Sequence, residues 1–154
     1  MPAMTHRIAF GLAAMTPLIA ACGVGFDERS GGDAGRGDAR PVVLETLSYD
    51  RISAEDGDNT DWKSFKLTEP GKVTVNVWWD EPGRIKASVE VRDQFGNSID
   101  ALKHQSGEAQ EKLGPLKLAE GTYFVRFLAN DGASVYSYEI IVGSAGKKPS
   151  GPDL

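Results

Sequence analysis

The sequence predicts an all-β domain, a single two-layer antiparallel sandwich of about eight strands with a jelly-roll-like character. Two observations predict it. Between Leu44 and Gly143 apolar side chains recur at every second position, as in Val73, Val75, Val77 and Trp79 or Ile85, Ala87, Val89 and Val91. Short runs of this kind are separated by Pro-Gly, Gly-Asn and Asp-Gly turn signals, and none carries a stripe at helical spacing.

The first 21 residues read as a signal peptide. Arg7 supplies a positive start, and Ile8 to Ala21 is an uncharged run of 14 residues. A bilayer-spanning helix needs about 20 residues, so this run is too short to remain as an anchor. It ends in Ile19-Ala20-Ala21-Cys22.

Residues 22–43 are expected to be a flexible tether. They are rich in Gly and charge, with little to bury. About 19 residues of such chain reach roughly 24 Å. Arg36-Gly37-Asp38 spells an integrin-type tripeptide, which in so Gly-, Asp- and Arg-rich a stretch is expected by chance. The domain is placed at residues 44–143, and residues 144–154 are expected to be a disordered tail.

Within the domain, strands are expected at about 46–52, 61–67, 72–80, 85–93, 97–104, 113–118, 122–129 and 135–142. Glu69-Pro70-Gly71-Lys72 and Glu81-Pro82-Gly83-Arg84 suit type II turns, with Gly at positive φ. Asp93 to Asn97 and Asn130-Asp131-Gly132 are hairpin signals. Residues 106–112 suit a polar loop.

Composition narrows function. The formal net charge is −5, and loss of Arg7 with the leader makes it more negative. Nothing favours nucleic acid or anionic lipid, because both need clustered Lys and Arg. Cys22 is the single cysteine, so neither an internal disulfide nor a thiolate metal site can form. His6 departs with the leader, leaving His104, expected to be an ordinary surface residue. No nucleophile elbow, HExxH or phosphate loop occurs, so an enzyme is not expected.

Two resemblances add to this. Ile19-Ala20-Ala21-Cys22 resembles the bacterial lipobox, which implies diacylglyceryl transfer to the Cys22 thiol, cleavage before Cys22 and acylation of the new amine. Two acyl chains anchor stably, at about 0.8 kcal/mol per buried CH₂. The alternative is an ordinary secreted protein cut at Ala-x-Ala. Gly23, where Asp would be the inner-membrane retention signal, points to the outer membrane. The localisation expected is therefore the cell envelope, on the periplasmic or the surface face.

The second resemblance spans residues 47–143. Asp61-Trp62-Lys63-Ser64-Phe65-Lys66-Leu67, then Gly71-Lys72-Val73-Thr74-Val75, then Asp93 with Gly96, then Gly121-Thr122-Tyr123-Phe124-Val125-Arg126, and finally Tyr138-Glu139-Ile140, resemble the bacterial pre-peptidase C-terminal domain family. That family implies a non-catalytic β-sandwich, appended to secreted peptidases, some members binding collagen or carbohydrate and some calcium. No peptidase precedes the domain in this sequence, which departs from that setting.

Candidate sites follow. Glu55, Asp56, Asp58, Asn59 and Asp61 crowd one loop whose oxygens suit calcium, although the spacing is not an EF-hand and turn capping would use the same residues. Trp78 and Trp79 are adjacent, so one faces outward. With Trp79 inward, Trp78 is expected beside outward Phe124 and Ile141 as a platform for a sugar or a protein, unless the tether, a loop or a sheet covers it. Trp62 is expected in the core. The expected role is an interaction or assembly module of the envelope, with carbohydrate or matrix binding as the alternative.

Overall fold

The computed structural model describes residues 32–144, and the leader, Cys22 and the residues after 144 lie outside the described residues. Eight strands form: β1 (Arg40–Pro41), β2 (Ser48–Ser53), β3 (Thr60–Leu67), β4 (Gly71–Trp79), β5 (Ile85–Arg92), β6 (Ser98–Lys103), β7 (Gln110–Leu118) and β8 (Gly121–Ser144). A short 3₁₀ turn, Arg36–Asp38, precedes them.

The strands make two layers joined by β8. Its first half pairs antiparallel with β3 and β5, and β6 extends that first sheet beyond β5. Its second half pairs antiparallel with β2 and β4, and β7 extends that second sheet beyond β4. β1 departs from the antiparallel pattern, lying parallel to β3 with Arg40 opposite Lys63.

The two strands expected at 122–129 and 135–142 are therefore one strand of 24 residues. Asn130-Asp131-Gly132 does not reverse the chain. It is where β8 leaves one sheet for the other. Gly132 lies opposite Ile85 of the first sheet, its carbonyl accepts the Ala54 N–H at 2.9 Å, and Ala133 then pairs with Ser53 of the second sheet. Gly132 has φ +70°, and a Cβ there would stand 1.8 Å from the Arg84 carbonyl oxygen. Only glycine fits so close an approach.

The Pro-Gly turns also differ from expectation. Gly71 and Gly83 do not take positive φ. Gly71 opens β4, and the Glu81–Arg84 turn closes with Arg84 N–H donating to Glu81 O at 3.0 Å, a type I geometry that needs no left-handed residue. The β5–β6 hairpin does form as the sequence predicts. The Asp93 carboxylate accepts the N–H groups of Phe95 and Asn97 at 2.9 and 2.8 Å, and Gly96 takes φ +90°.

The core lies between the layers. Val73, Val75, Val77 and Trp79 of β4 face Val89 and Val91 of β5 and Val125 and Phe127 of β8, all buried. Each such side chain contributes about 1.5–3 kcal/mol through water release. Rings tile the centre, with Phe127 and Tyr136 centroids 4.6 Å apart and Trp79 and Tyr136 5.6 Å apart.

The segment expected as tether joins this body from Asp33 onward. Asp33 is buried, the Trp62 N–H donates to its carbonyl at 2.8 Å, and Val42 packs against the core. The physical reason is charge: Lys63 points inward from β3, and Asp33 is one of its counter-ions.

Gly132→Ala should lower unfolding stability by about 2–4 kcal/mol, since it strains both the backbone and the sheet-to-sheet crossing. Urea unfolding midpoints of the two proteins measure this, and an unchanged midpoint would contradict the crossing.

Candidate functional site

His104 is buried rather than a surface residue. Its Nδ1 meets Glu111 Oε2 at 2.6 Å and its Nε2 meets the Pro82 carbonyl at 2.8 Å. Glu111 also accepts the Trp79 indole N–H at 3.0 Å and the Gln105 N–H at 2.9 Å. Both ring nitrogens are thus committed to tying the end of β6 to β7 and to the β4–β5 turn. Both partners are acceptors, and no hydroxyl or thiol is among them.

The acidic loop is divided rather than gathered. The Asp56 carboxylate accepts from Arg51 Nη2 at 2.7 Å, and Asn59 Oδ1 accepts from the Thr60 hydroxyl at 3.0 Å. Asp58 is buried at a bridge to Ser53. Asp61 turns away into the core, where Tyr136 Oη–H donates to Oδ2 at 2.6 Å. Among the described residues no group of three or more His, Cys, Asp or Glu side chains is placed to hold a metal. The structure does not assemble Asp56, Asp58, Asn59 and Asp61 into the expected calcium site, because β3 sends Asp61 to the inner face.

Asp61 belongs instead to a buried charged cluster. Lys63 lies two residues along the same face and contacts the carboxylates of Asp33 and Asp50. Burial alone would lower the Lys63 pKa, but its hydrogen bonds to Asp33 and Asp50 carry it above the ordinary value. Burial raises Asp61 to about 8, against the opposing pulls of the Tyr136 hydroxyl and Lys63. The Tyr136 phenol is pushed well above its usual range by burial and by the Asp61 charge.

Trp62, expected in the core, is on the outer face of the first sheet. Arg92 and Arg126 each stand 5.8 Å from its ring, and Phe124 meets it edge-on at 6.3 Å. Glu90 accepts from Arg126 at 2.8 Å and from Arg92 at 2.7 Å. Burial works to raise the Glu90 pKa, and these two arginines hold it below the ordinary carboxylate range. The Arg36 guanidinium lies 5.8 Å over Phe124, in space that a side chain at Gly96 would occupy. Phe124 is therefore half-covered by the chain that enters the domain.

Trp79 faces inward and Trp78 outward, as the alternation predicts. Trp78 and Phe124 do not form one platform. Trp78 lies on the outer face of the second sheet, Phe124 on that of the first. The aromatic neighbour that sequence reasoning missed is Tyr49 of β2. Tyr49 pairs with Ser137 of β8, and Ser137 pairs with Trp78 of β4, so the three form one row across the sheet. With strands about 4.8 Å apart, the two aromatic positions stand about 10 Å apart with a small residue between them. Tyr49 is 71% exposed, and Leu47, Val135 and Ile141 add exposed apolar surface around it at 44%, 42% and 37%. Ile141 shares this outward face but does not stand beside Trp78, since it pairs with Thr74, four residues along β4.

No family model matches the chain, and no curated protein matches it in sequence. Its fold is similar to that of the pre-peptidase C-terminal domain of a collagenase from Bacillus anthracis, with TM-score 0.57 and 16% identity over 66% of this chain and 93% of that one. This agrees with the domain resemblance in the sequence and extends to the fold alone. Slighter likenesses, too weak to carry an argument, are to PliG, a periplasmic lysozyme inhibitor from Aeromonas hydrophila (TM-score 0.42, 13% identity, 68% of this chain and 95% of that one), and to a Streptococcus pneumoniae fucose binding module (TM-score 0.40, 17% identity, 62% and 70%).

The raised Asp61 pKa sets a pH dependence with a definite sign. The unfolded carboxyl loses its proton near 3.8, and the folded one keeps it to about 8. Its stabilising contribution is complete below the unfolded value and is lost as pH rises through the folded one. The decline is at most about 1.4 kcal/mol per pH unit. Asp61→Asn should reduce the fall in stability between pH 5 and pH 8, as measured by urea midpoints at both. A fall of the same size in wild type and variant would refute the assignment.

Proposed function

We propose that this chain is a non-catalytic binding lipoprotein of the bacterial cell envelope. It is anchored through acylated Cys22 and engages an envelope protein with the outer face of its second sheet. The observation that carries the reading is the Tyr49–Ser137–Trp78 row with Leu47, Val135 and Ile141 around it. A flat sheet face with this much exposed apolar and aromatic surface suits a partner, and aromatic anchors dominate the energy of such contacts. The outer face of the first sheet suits one less, because Arg36, Arg92, Arg126 and Glu90 already engage its rings and one another.

A glycan is the second reading, favoured by the two aromatic positions flanking Ser137. Rings at that spacing can stack on neighbouring sugar units. The absence of nucleic-acid chemistry rests on the acidic net charge.

Cys22 and Asp33 are 11 residues apart. Fully extended, that is at most about 38 Å, so the sandwich stays close to the bilayer, that of the outer membrane in this reading.

Two outcomes test this. Intact-mass analysis of the membrane-extracted protein should show a lipid-sized increment on a chain beginning at Cys22, absent in Cys22→Ser, and a mature mass matching the unmodified chain would contradict the anchor. A photoreactive side chain at position 137 should crosslink a discrete protein in cells, and Tyr49→Ala should reduce that yield at least tenfold with the melting temperature kept. The same probe at position 88, on the first sheet, should not give the product. Equal crosslinking from both positions would contradict the assigned face, and loss of glycan-array binding in Trp78→Ala without any protein crosslink would favour the second reading.

A further inference from the structure

The outer faces leave one reactive group unused. Lys63 is 1% exposed and lies between the carboxylates of Asp33 and Asp50, with Tyr138 above it, 6.0 Å from ring centroid to Nζ. Asp61, the third carboxyl, is on the same face of β3 and is fully buried. Two carboxylates therefore contact one buried amine, and a third carboxyl lies two residues away on the same face of β3.

The two partners of Lys63 are not equivalent. Asp50 Oδ1 accepts the Arg51 N–H at 2.9 Å, and its side chain is 12% exposed. Asp33 is fully buried, and its Oδ1 accepts no hydrogen bond from the described residues. Among the described residues Lys63 is the one side-chain partner of the Asp33 carboxylate, so an amide bond there would break no other hydrogen bond of that carboxylate.

We propose that Lys63 Nζ and Asp33 Cγ join in an amide bond with loss of one water, which fastens the segment entering the domain covalently to β3. The ammonium first passes a proton to Asp50 along their hydrogen bond. The freed lone pair attacks Asp33 Cγ as Asp61 lends its proton to the departing oxygen. The second proton lost from Nζ goes to Asp61 and the one on Asp50 to the departing oxygen, which leaves as water. Asp50 ends as a carboxylate and Asp61 ends protonated, as each began. No oxidant or cofactor enters, and net charge is unchanged. Asp61 suits the lending role because burial keeps it protonated at neutral pH. The ion pair is the resting state of Lys63, so the neutral amine is a minor form. The reaction needs to occur once per molecule, and held geometry replaces the search that slows it in solution.

Tryptic mapping of the denatured full-length protein tests this. Cleavage without the bond gives residues 30–36 and residues 52–63 as separate peptides. With the bond, Lys63 is no longer a cleavage site. A branched peptide uniting residues 30–36 with residues 52–66 then appears, lighter by one water than the sum of its parts. Asp61→Asn, which keeps the side-chain shape, should lower the branched yield at least tenfold. Separate peptides in full yield from wild type would overturn the proposal. So would a branch to the peptide carrying Asp50, and an undiminished branch in Asp61→Asn would overturn the part given to Asp61.

Discussion

A charged amine cannot be placed between two apolar layers unless its neighbours satisfy it. Lys63 occupies such a place, and the surrounding chain is arranged accordingly. Asp50 reaches it from β2 and Asp33 from the segment before β1, so two sheet elements and one flanking segment converge on a single nitrogen. Removing one partner of a buried ion pair costs about 3–5 kcal/mol, because the charge left behind is unpaired. That constraint, more than apolar burial, decides where this domain begins.

β8 imposes the second constraint. One strand serves both sheets, so the layers are linked through hydrogen bonds as well as through side chains. Its first half presents Val125 and Phe127 to the core, its second half Tyr136, Tyr138 and Ile140. Of the outward residues of the second half, Ser137 lies between Tyr49 and Trp78, with Val135 beside Arg51 of β2 and Ile141 beside Thr74 of β4. The face proposed for binding depends on how the strand crosses, since the same strand kept within one sheet would not put Ser137 between β2 and β4.

The layered β architecture was legible because strand parity is a strong local signal, and Val73 to Trp79 shows it without interruption. The inward side of β3 was legible too, though it was misjudged. Phe65 and Leu67 fix the odd positions as buried, which places Asp61 and Lys63 inside and Trp62 outside. Reading Trp62 as core followed the aromatic position of the resembled family and not the phase of the strand. The pairing of Trp78 with Tyr49 was not legible, because it depends on which strands lie beside β8. The same holds for Asn130-Asp131-Gly132, where glycine chemistry serves a crossing and turn statistics point to a hairpin. The docking of Asp33 had no local signal, since its partner is 30 residues away.

The entering segment is held to the body by Asp33 at Lys63, near the pairing of β1 with β3 and across the core from the outer face of the second sheet. The measurement that tests this account most directly compares a chain beginning at residue 32 with one beginning at residue 44 by urea unfolding. The account predicts that the shorter chain is less stable by about 3 kcal/mol or more, because Lys63 loses Asp33. Equal unfolding midpoints would show that the domain begins at residue 44 and that the buried cluster does not hold the entering segment.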